Sequence, residues 1–273
     1  MSLPVEHPRL VRAVGARTLG VLGYLGGMAI LLAETLRWTT RGLFVPGVRF
    51  GRNAFMEQMV RVGVRSVGVV MLVQTFIGVI LALQLAPTLK EYGQVDKVAN
   101  IIGAGGFRIL GPIITAVVLS GFAGASIAAE LGTMVVSEEV EALEAIALNP
   151  IRYLVVPRVL ATLIMMVLLS VVADLMIAVG GWLASRVALG PTTYMGYFQH
   201  MRDQLRYRDF FTGLVQAAVF GLLISGIACL EGLRVRGGAE GVGKATTMTV
   251  VYSIVAIVIA ACVFTVIFYV FGF

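Results

Sequence analysis

Charge is scarce in this chain. Only 13% of its 273 residues are charged, about half the share of a soluble domain. No polar stretch is long enough to form a soluble domain of its own. The two cysteines, Cys229 and Cys262, both sit inside apolar runs. They read as small packing residues and leave no disulfide framework or thiolate metal site. The two histidines, His7 and His200, cannot build a metal cluster alone. No Ser/His/Asp, Cys/His or paired-carboxylate arrangement falls at one membrane depth, so nothing points to catalysis. The first apolar run is too long for a cleavable signal peptide and lacks a small-x-small exit. The net charge of +6 owes most to N-terminal arginine, which suits an anionic leaflet rather than nucleic acid.

Hydrophobic residues are abundant, at 59%, with mean hydropathy +0.94. Five or six runs of about 20 apolar residues predict an all-α integral membrane protein of one domain, residues 1–273. Residues 18–36 are apolar, dense in glycine (Gly20, Gly23, Gly26, Gly27) and flanked by arginines on both sides. An elbow dipping into one leaflet keeps both arginine clusters on the cytoplasmic side, as the positive-inside bias favours; a sixth span stays open. Residues 1–52 therefore read as an elbow or interfacial region, and 53–273 as five spans.

The spans are expected at 62–86, ended by Pro87, then 107–134, 154–183, 210–230 and 247–271. Residues 88–106 and 186–209 read as outer loops, the second with Tyr194, Tyr197 and Phe198 as an interfacial aromatic patch. Residues 231–244 read as a glycine-rich cytoplasmic turn. With the N-terminus inside, 14 of the 21 Lys and Arg residues fall on the cytoplasmic side and 7 outside. In the second span, Gly121, Ala125 and Ala129 recur every four positions, a pattern that lets helices approach closely in lipid.

Residues 137–149 stand out. They predict a short acidic helix with Ser137 as N-cap and Glu138 and Glu139 in the first turn. Asn149-Pro150 is expected to stop it. Val136, Val140, Leu143 and Ala147 form an apolar stripe, with Glu138, Glu139, Glu141 and Glu144 on the remaining surface. Such a helix lies at a membrane face, free to dock another protein.

Other polar residues carry weaker signals. Gly238–Ala245 nearly matches a phosphate-binding loop, but Ala245 replaces the Ser or Thr that should follow Lys244, and no strand precedes it. Any ATP is then bound by another chain. Asp174 is an acid inside the third span, read as a structural hydrogen bond or a transport-path group. Glu130 reads as a snorkelling side chain, and Gln84 and Gln216 as helix–helix hydrogen-bonders.

The block Ala129-Glu130-Leu131-Gly132-Thr133-Met134 is flanked by matching elements. Before it come Phe76-Ile77-Gly78 with Gln84, and Leu110-Gly111-Pro112. After it come Ser137-Glu138, Ala142-Leu143, Asn149-Pro150, Val156-Pro157-Arg158, Gly241-Val242-Gly243 and Ala245-Thr246-Thr247. With these the chain resembles the MlaE/YrbE permease family over about residues 50–260, the membrane subunits of ABC-type lipid transporters. The resemblance implies an elbow helix plus five transmembrane helices, a dimer (most simply a homodimer) enclosing a lipid cavity, and a location in the inner membrane. It implies that residues 137–149 are a coupling helix on a cytoplasmic ABC ATPase, with Glu138, Glu139, Glu141 and Leu143 as contacts. No cofactor is expected in this chain. Further implied partners are an MCE-domain protein outside and, in some systems, a STAS-domain protein. Leu81, Leu89, Tyr92, Ile109 and Gln216 fall near the family cavity and are the candidate lipid contacts. Ile109, Gln216 and Ala261 are neutral where the family often carries an acid, a lysine and an aspartate. A non-transporting scaffold and an ion-coupled transporter remain as alternatives, though the inverted repeat and midplane charged site of the latter are not evident.

Overall fold

The computed structural model describes residues 9–44, 52–189 and 191–271, and every element in it is helical. Eight helices follow in chain order. They are α1 (Arg9–Phe44), α2 (Asn53–Glu91), α3 (Lys97–Val136), α4 (Glu139–Ala145), α5 (Ile151–Ala188), α6 (Pro191–Gln204), α7 (Tyr207–Leu233) and α8 (Gly238–Phe271). Short π-helical stretches interrupt α2 at Val60–Val64 and α3 at Gly106–Leu110 and Ser120–Gly124; others open and close α5. Parts of the expected elbow region, residues 1–8 and 45–51, lie outside the described residues, as does the Tyr194 side chain.

Six of the described helices are long and apolar enough to cross a membrane: α1 through Thr18–Gly42, then α2, α3, α5, α7 and α8. α7 is at the centre, with 67% of its apolar window buried against 11% for α1 and 17% for α8. It packs on α3, α5 and α8, while α2 lies along α5. That last pair meets backbone to backbone. A Cβ on Gly78 would overlap the Ile177 carbonyl, and one on Gly180 would overlap the carbonyl of Thr75. Gln74 ties α2 to α3, its Nε2 donating to the Gly111 carbonyl at 3.2 Å and the Thr115 hydroxyl at 2.9 Å.

The expected outer loops are helical. Pro87 lies inside α2 and forfeits only one backbone bond, and the helix runs on to Glu91. Gly93, at φ 65°, then reverses the chain. The amide of Gln94 donates to Leu89 O at 2.8 Å and that of Gly93 to Lys90 O at 3.1 Å, the glycine-capped helix end in which a left-handed residue satisfies the last carbonyls. The first turns of α3 are amphipathic, burying Val98, Ala99 and Ile102 and turning Lys97 outward. Residues 186–209 include α6, which buries Tyr197 and Met201 one turn apart against Ala99, Phe107 and Ala178. Tyr197 is thus core rather than interfacial, whereas Phe198 is exposed and stacks near Trp182.

In the second half of α3, small residues that pack it inside the subunit include Gly124, Ala128 and Gly132, which face α7 and α8. Among the described residues, Gly121 has nothing within contact distance of an added Cβ. The Gly121–Ala125–Ala129 stripe therefore faces away from the subunit's own core.

Candidate coupling segment and lipid-facing residues

The ends of α3, α5, α7 and α8 meet at one face around α4. Gly132 of α3 touches Val235 of the α7–α8 turn and Val242 in the first turns of α8. The α4 segment buries no residue: Glu138, Glu139, Glu141 and Glu144 are exposed, Val140 and Leu143 half-buried, and Ile146 is 67% exposed.

The ends of the acidic helix differ from expectation. Ser137 closes α3 rather than capping α4. Its hydroxyl donates back to the Thr133 carbonyl at 3.0 Å, and the N-cap is Glu138 in the left-handed region at φ 60°. Ala147, at φ 59°, ends the segment. There the Leu148 amide donates to Leu143 O and the Ala147 amide to Glu144 O, both at 2.9 Å. Asn149-Pro150 starts the following helix instead of stopping this one. Asn149 Oδ1 accepts from the amides of Ile151 at 3.0 Å and Arg152 at 3.3 Å, as an N-cap does, and Pro150 sits where a missing N–H costs nothing. Among the described residues, Glu138 and Ala147 are the two non-glycine positions with positive φ. They bracket α4, so the acidic helix hangs between two sharp backbone reversals.

Behind it lies an ion cluster that the sequence reading missed. Glu130 does not snorkel. One oxygen pairs with Arg61 Nη1 of α2, the other with Arg158 Nη2 of α5 at 2.8 Å. Arg158 is 4% exposed, and its Nη1 also donates to the Leu154 carbonyl at 2.6 Å. The partners are 69 and 28 residues from Glu130 in sequence. The legible signal was that Glu130 and Arg158 stand at similar distances from the two ends of one short connection. The cluster clamps the spans on either side of α4 to each other and to α2.

The five candidate lipid residues do not surround one cavity within the subunit. Leu81 and Leu89 are half-buried against Val98, Ile102 and Ala184, and Tyr92 is 73% exposed at the hairpin tip. Ile109 is half-buried in the π-helical stretch of α3. Gln216 is 1% exposed, inside the subunit's core, with no partner for Oε1 among the described residues. Gln84 faces outward. Asp174 is 1% exposed; it sits against Gly111, and neither carboxyl oxygen has a hydrogen-bond partner among the described residues, so the expected structural hydrogen bond is not formed. Gly238–Ala245 is the start of α8, not a loop or turn. It therefore lacks the loop of converging amides with which a strand–loop–helix phosphate site wraps a phosphate.

An all-helical bundle with six candidate spans and an exposed acidic connection defines a multi-pass membrane protein. The chain belongs to the MlaE permease family: the family model described as Permease MlaE matches residues 55–267. A probable ABC transporter permease protein of Rickettsia typhi is 37% identical over 211 residues, 76% of this chain and 80% of that one. The chloroplastic protein TRIGALACTOSYLDIACYLGLYCEROL 1 of Arabidopsis thaliana is 35% identical over 209 residues, 75% of this chain and 58% of that one. The intermembrane phospholipid transport system permease protein MlaE of Haemophilus influenzae is 28% identical over 246 residues, 89% and 91% of the two chains.

Proposed function

We propose that this chain is the membrane subunit of an ABC transporter that moves phospholipid or a related lipid, driven by a separate cytoplasmic ATPase. The observation that carries this is α4, an exposed acidic helix strung between two spans and anchored behind by the Glu130 cluster. A force applied at Glu138, Glu139, Glu141 and Leu143 passes directly into α3 and α5. The family membership supports the transporter class, and the H. influenzae relative's name supports lipid as the cargo. In this reading α4 faces the cytoplasm of an inner-membrane protein, together with the N-terminus.

A second copy of the chain completes the lipid path. The outward Gly121–Ala125–Ala129 stripe and the sparsely buried α8 support such a pairing. Leu81, Leu89, Tyr92 and Ile109 then face lipid near the outer side, where an MCE-domain protein exchanges it, and a STAS-domain protein is a further cytoplasmic partner. Neutral Ile109 suits acyl chains, since an unpaired charge in that position is costly.

α1 acts as an elbow. Arg234 lies over the Tyr24 ring, and Arg152 over the Trp38 ring, at 5.7 and 5.6 Å. Both arginines belong to the face that carries α4. Tyr24 and Trp38 are 14 residues apart, roughly 21 Å of helix, so a span perpendicular to the membrane would not hold both near one face.

The test is co-purification with the ATPase encoded beside this chain. The double change Glu138→Lys, Glu139→Lys should abolish it while leaving the permease folded by gel filtration. Unaltered co-purification removes the docking role.

A further inference from the structure

In the glycine-dense stretch of α1, Gly27 packs against Arg234 and Leu230, but the other three glycines have no such role among the described residues. Gly20, Gly23 and Gly26 each have nothing within contact distance of an added Cβ. Gly20 instead lines a groove of about 620 Å³, framed by Tyr24 of α1, Leu223 of α7, and Tyr252, Val255 and Ile259 of α8. The volume is within the range of small-molecule sites, and the walls are almost wholly apolar. The groove is open along one side, so in a bilayer it faces hydrocarbon.

One end of the groove is polar and carries charge of both signs: Arg234, and Glu231, whose carboxylate lies beside the Tyr24 hydroxyl. The rings of Tyr24 and Tyr252 meet edge to face at 5.4 Å. The Arg234 guanidinium lies 5.7 Å from the Tyr24 ring centre and in contact with Gly27. Arg234 is exposed and makes no ion pair among the described residues. Tyrosine and arginine at the end of an apolar wall are the pattern of a headgroup depth, where amphipathic rings and snorkelling cations settle.

We propose that this groove holds one phospholipid of the leaflet on the α4 side, an acyl chain along Gly20, Leu223 and Val255 and its phosphate on Arg234. Glu231 is engaged at Tyr24 and stands outside ion-pair distance of Arg234, so the planar guanidinium is left to meet a phosphate at the depth where phosphates lie. The occupied groove also answers a packing deficit. Only 11% of the α1 window is buried by protein, and a bound chain completes the contact of α1 with α7 and α8. The site stands apart from Leu81, Leu89, Tyr92 and Ile109 and rests on membrane embedding alone, not on transport.

The probe is phosphatidylglycerol with a photoreactive group in its acyl chain, present as a minor component of phosphatidylcholine nanodiscs holding the full chain. The expected result is labelling of peptides from α1, α7 and α8 that line the groove, competed by unlabelled phosphatidylglycerol. Val255→Trp and Ile259→Trp fill the groove from positions that are 52% and 60% exposed, so folding tolerates them, and each should abolish this labelling. Arg234→Gln should weaken labelling about fivefold, the worth of one basic residue near an anionic headgroup, while Arg236→Gln leaves it unchanged. Labelling that persists in both tryptophan variants, or that spreads evenly over lipid-facing residues, overturns the proposal. So does quantitative disulfide crosslinking of Val255→Cys between two copies in nanodiscs, which would make a second copy the occupant.

Discussion

Glu130 offers the sharpest quantitative test of how the segment around α4 is held. Replacing it with glutamine keeps the shape and removes the charge. Its partner Arg158 has a side chain 5% exposed, with a 2.8 Å contact, and breaking a buried pair by removing one member costs about 3–5 kcal/mol. Arg158 keeps its bond to the Leu154 carbonyl, and the glutamine oxygen still accepts, so about 2 kcal/mol is the reasonable share for that contact. Arg61 and Glu130 are 33% and 24% exposed; water screens that pair, which adds at most about 1 kcal/mol. The total, roughly 3 kcal/mol, corresponds to a fall of about 6–12 °C in the unfolding midpoint of a domain this size. The assay is thermal unfolding in detergent followed by tryptophan fluorescence, with the fraction surviving gel filtration as a second probe. A companion cycle of Glu130→Met, Arg158→Met and the double variant should show the double losing less than the two singles added, because the buried charge is then gone and Arg61 is exposed enough to be hydrated. A midpoint lowered by less than about 2 °C, or strictly additive losses, would refute the clamp.

Other outcomes follow from the packing. Gly78→Val should prevent folding of the bundle, since its side chain would occupy the Ile177 carbonyl; near-wild-type yield of a monodisperse protein would contradict the backbone contact. Asn149→Ala should cost about 1 kcal/mol of stability through loss of the cap of α5, measurable as a lower melting midpoint, whereas Ser137→Ala should change little because Ser137 caps nothing. Asp174→Asn should leave stability unchanged or raised, since neither carboxyl oxygen has a partner to lose among the described residues and a buried charge without one is costly; a loss above about 1 kcal/mol would point to an unseen partner. Burial holds the Tyr197 phenol above its ordinary range. Its neutral form thus favours the folded state below pH about 10, and this contribution is lost as the pH rises beyond that, where the unfolded chain ionises. An ultraviolet titration should therefore show one more slow tyrosine in wild type than in Tyr197→Phe, ionising only with unfolding.

The spans were legible because run length alone marks them: a polar backbone in hydrocarbon leaves little choice but helix. The connections were less so. Residues 88–106 and 186–209 carry the charges that usually mark loops, the second also Pro191, yet Val98/Ile102 and Tyr197/Met201 are spaced for one buried helical face. Those short stripes were hidden beside far stronger apolar runs. At 137–149 the acidic helix, its exposure and its place between spans were readable, but its ends were not. Left-handed backbone at Glu138 and Ala147 has no residue-type signature, since glycine or asparagine is the usual choice there. The Asn149-Pro150 pair was a start signal that also reads as a stop, and the chain uses the first meaning. Glu130 was read alone, as a snorkelling side chain; only tertiary packing shows that it forms one cluster with Arg61 and Arg158. The candidate lipid contacts were carried by family resemblance, and within one subunit they lie on different surfaces; the proposed second copy is what would bring them to one cavity.

The central claim is that α4 faces the cytoplasm and is covered there by an ATPase. Its most direct measurement is the reactivity of Glu141→Cys, in a Cys262→Ala background, toward a membrane-impermeant maleimide in sealed vesicles of known orientation. The expected result is modification from the cytoplasmic side alone, suppressed when saturating ATPase is bound. Modification from the outer side, or unchanged reactivity with the ATPase in place, would contradict it.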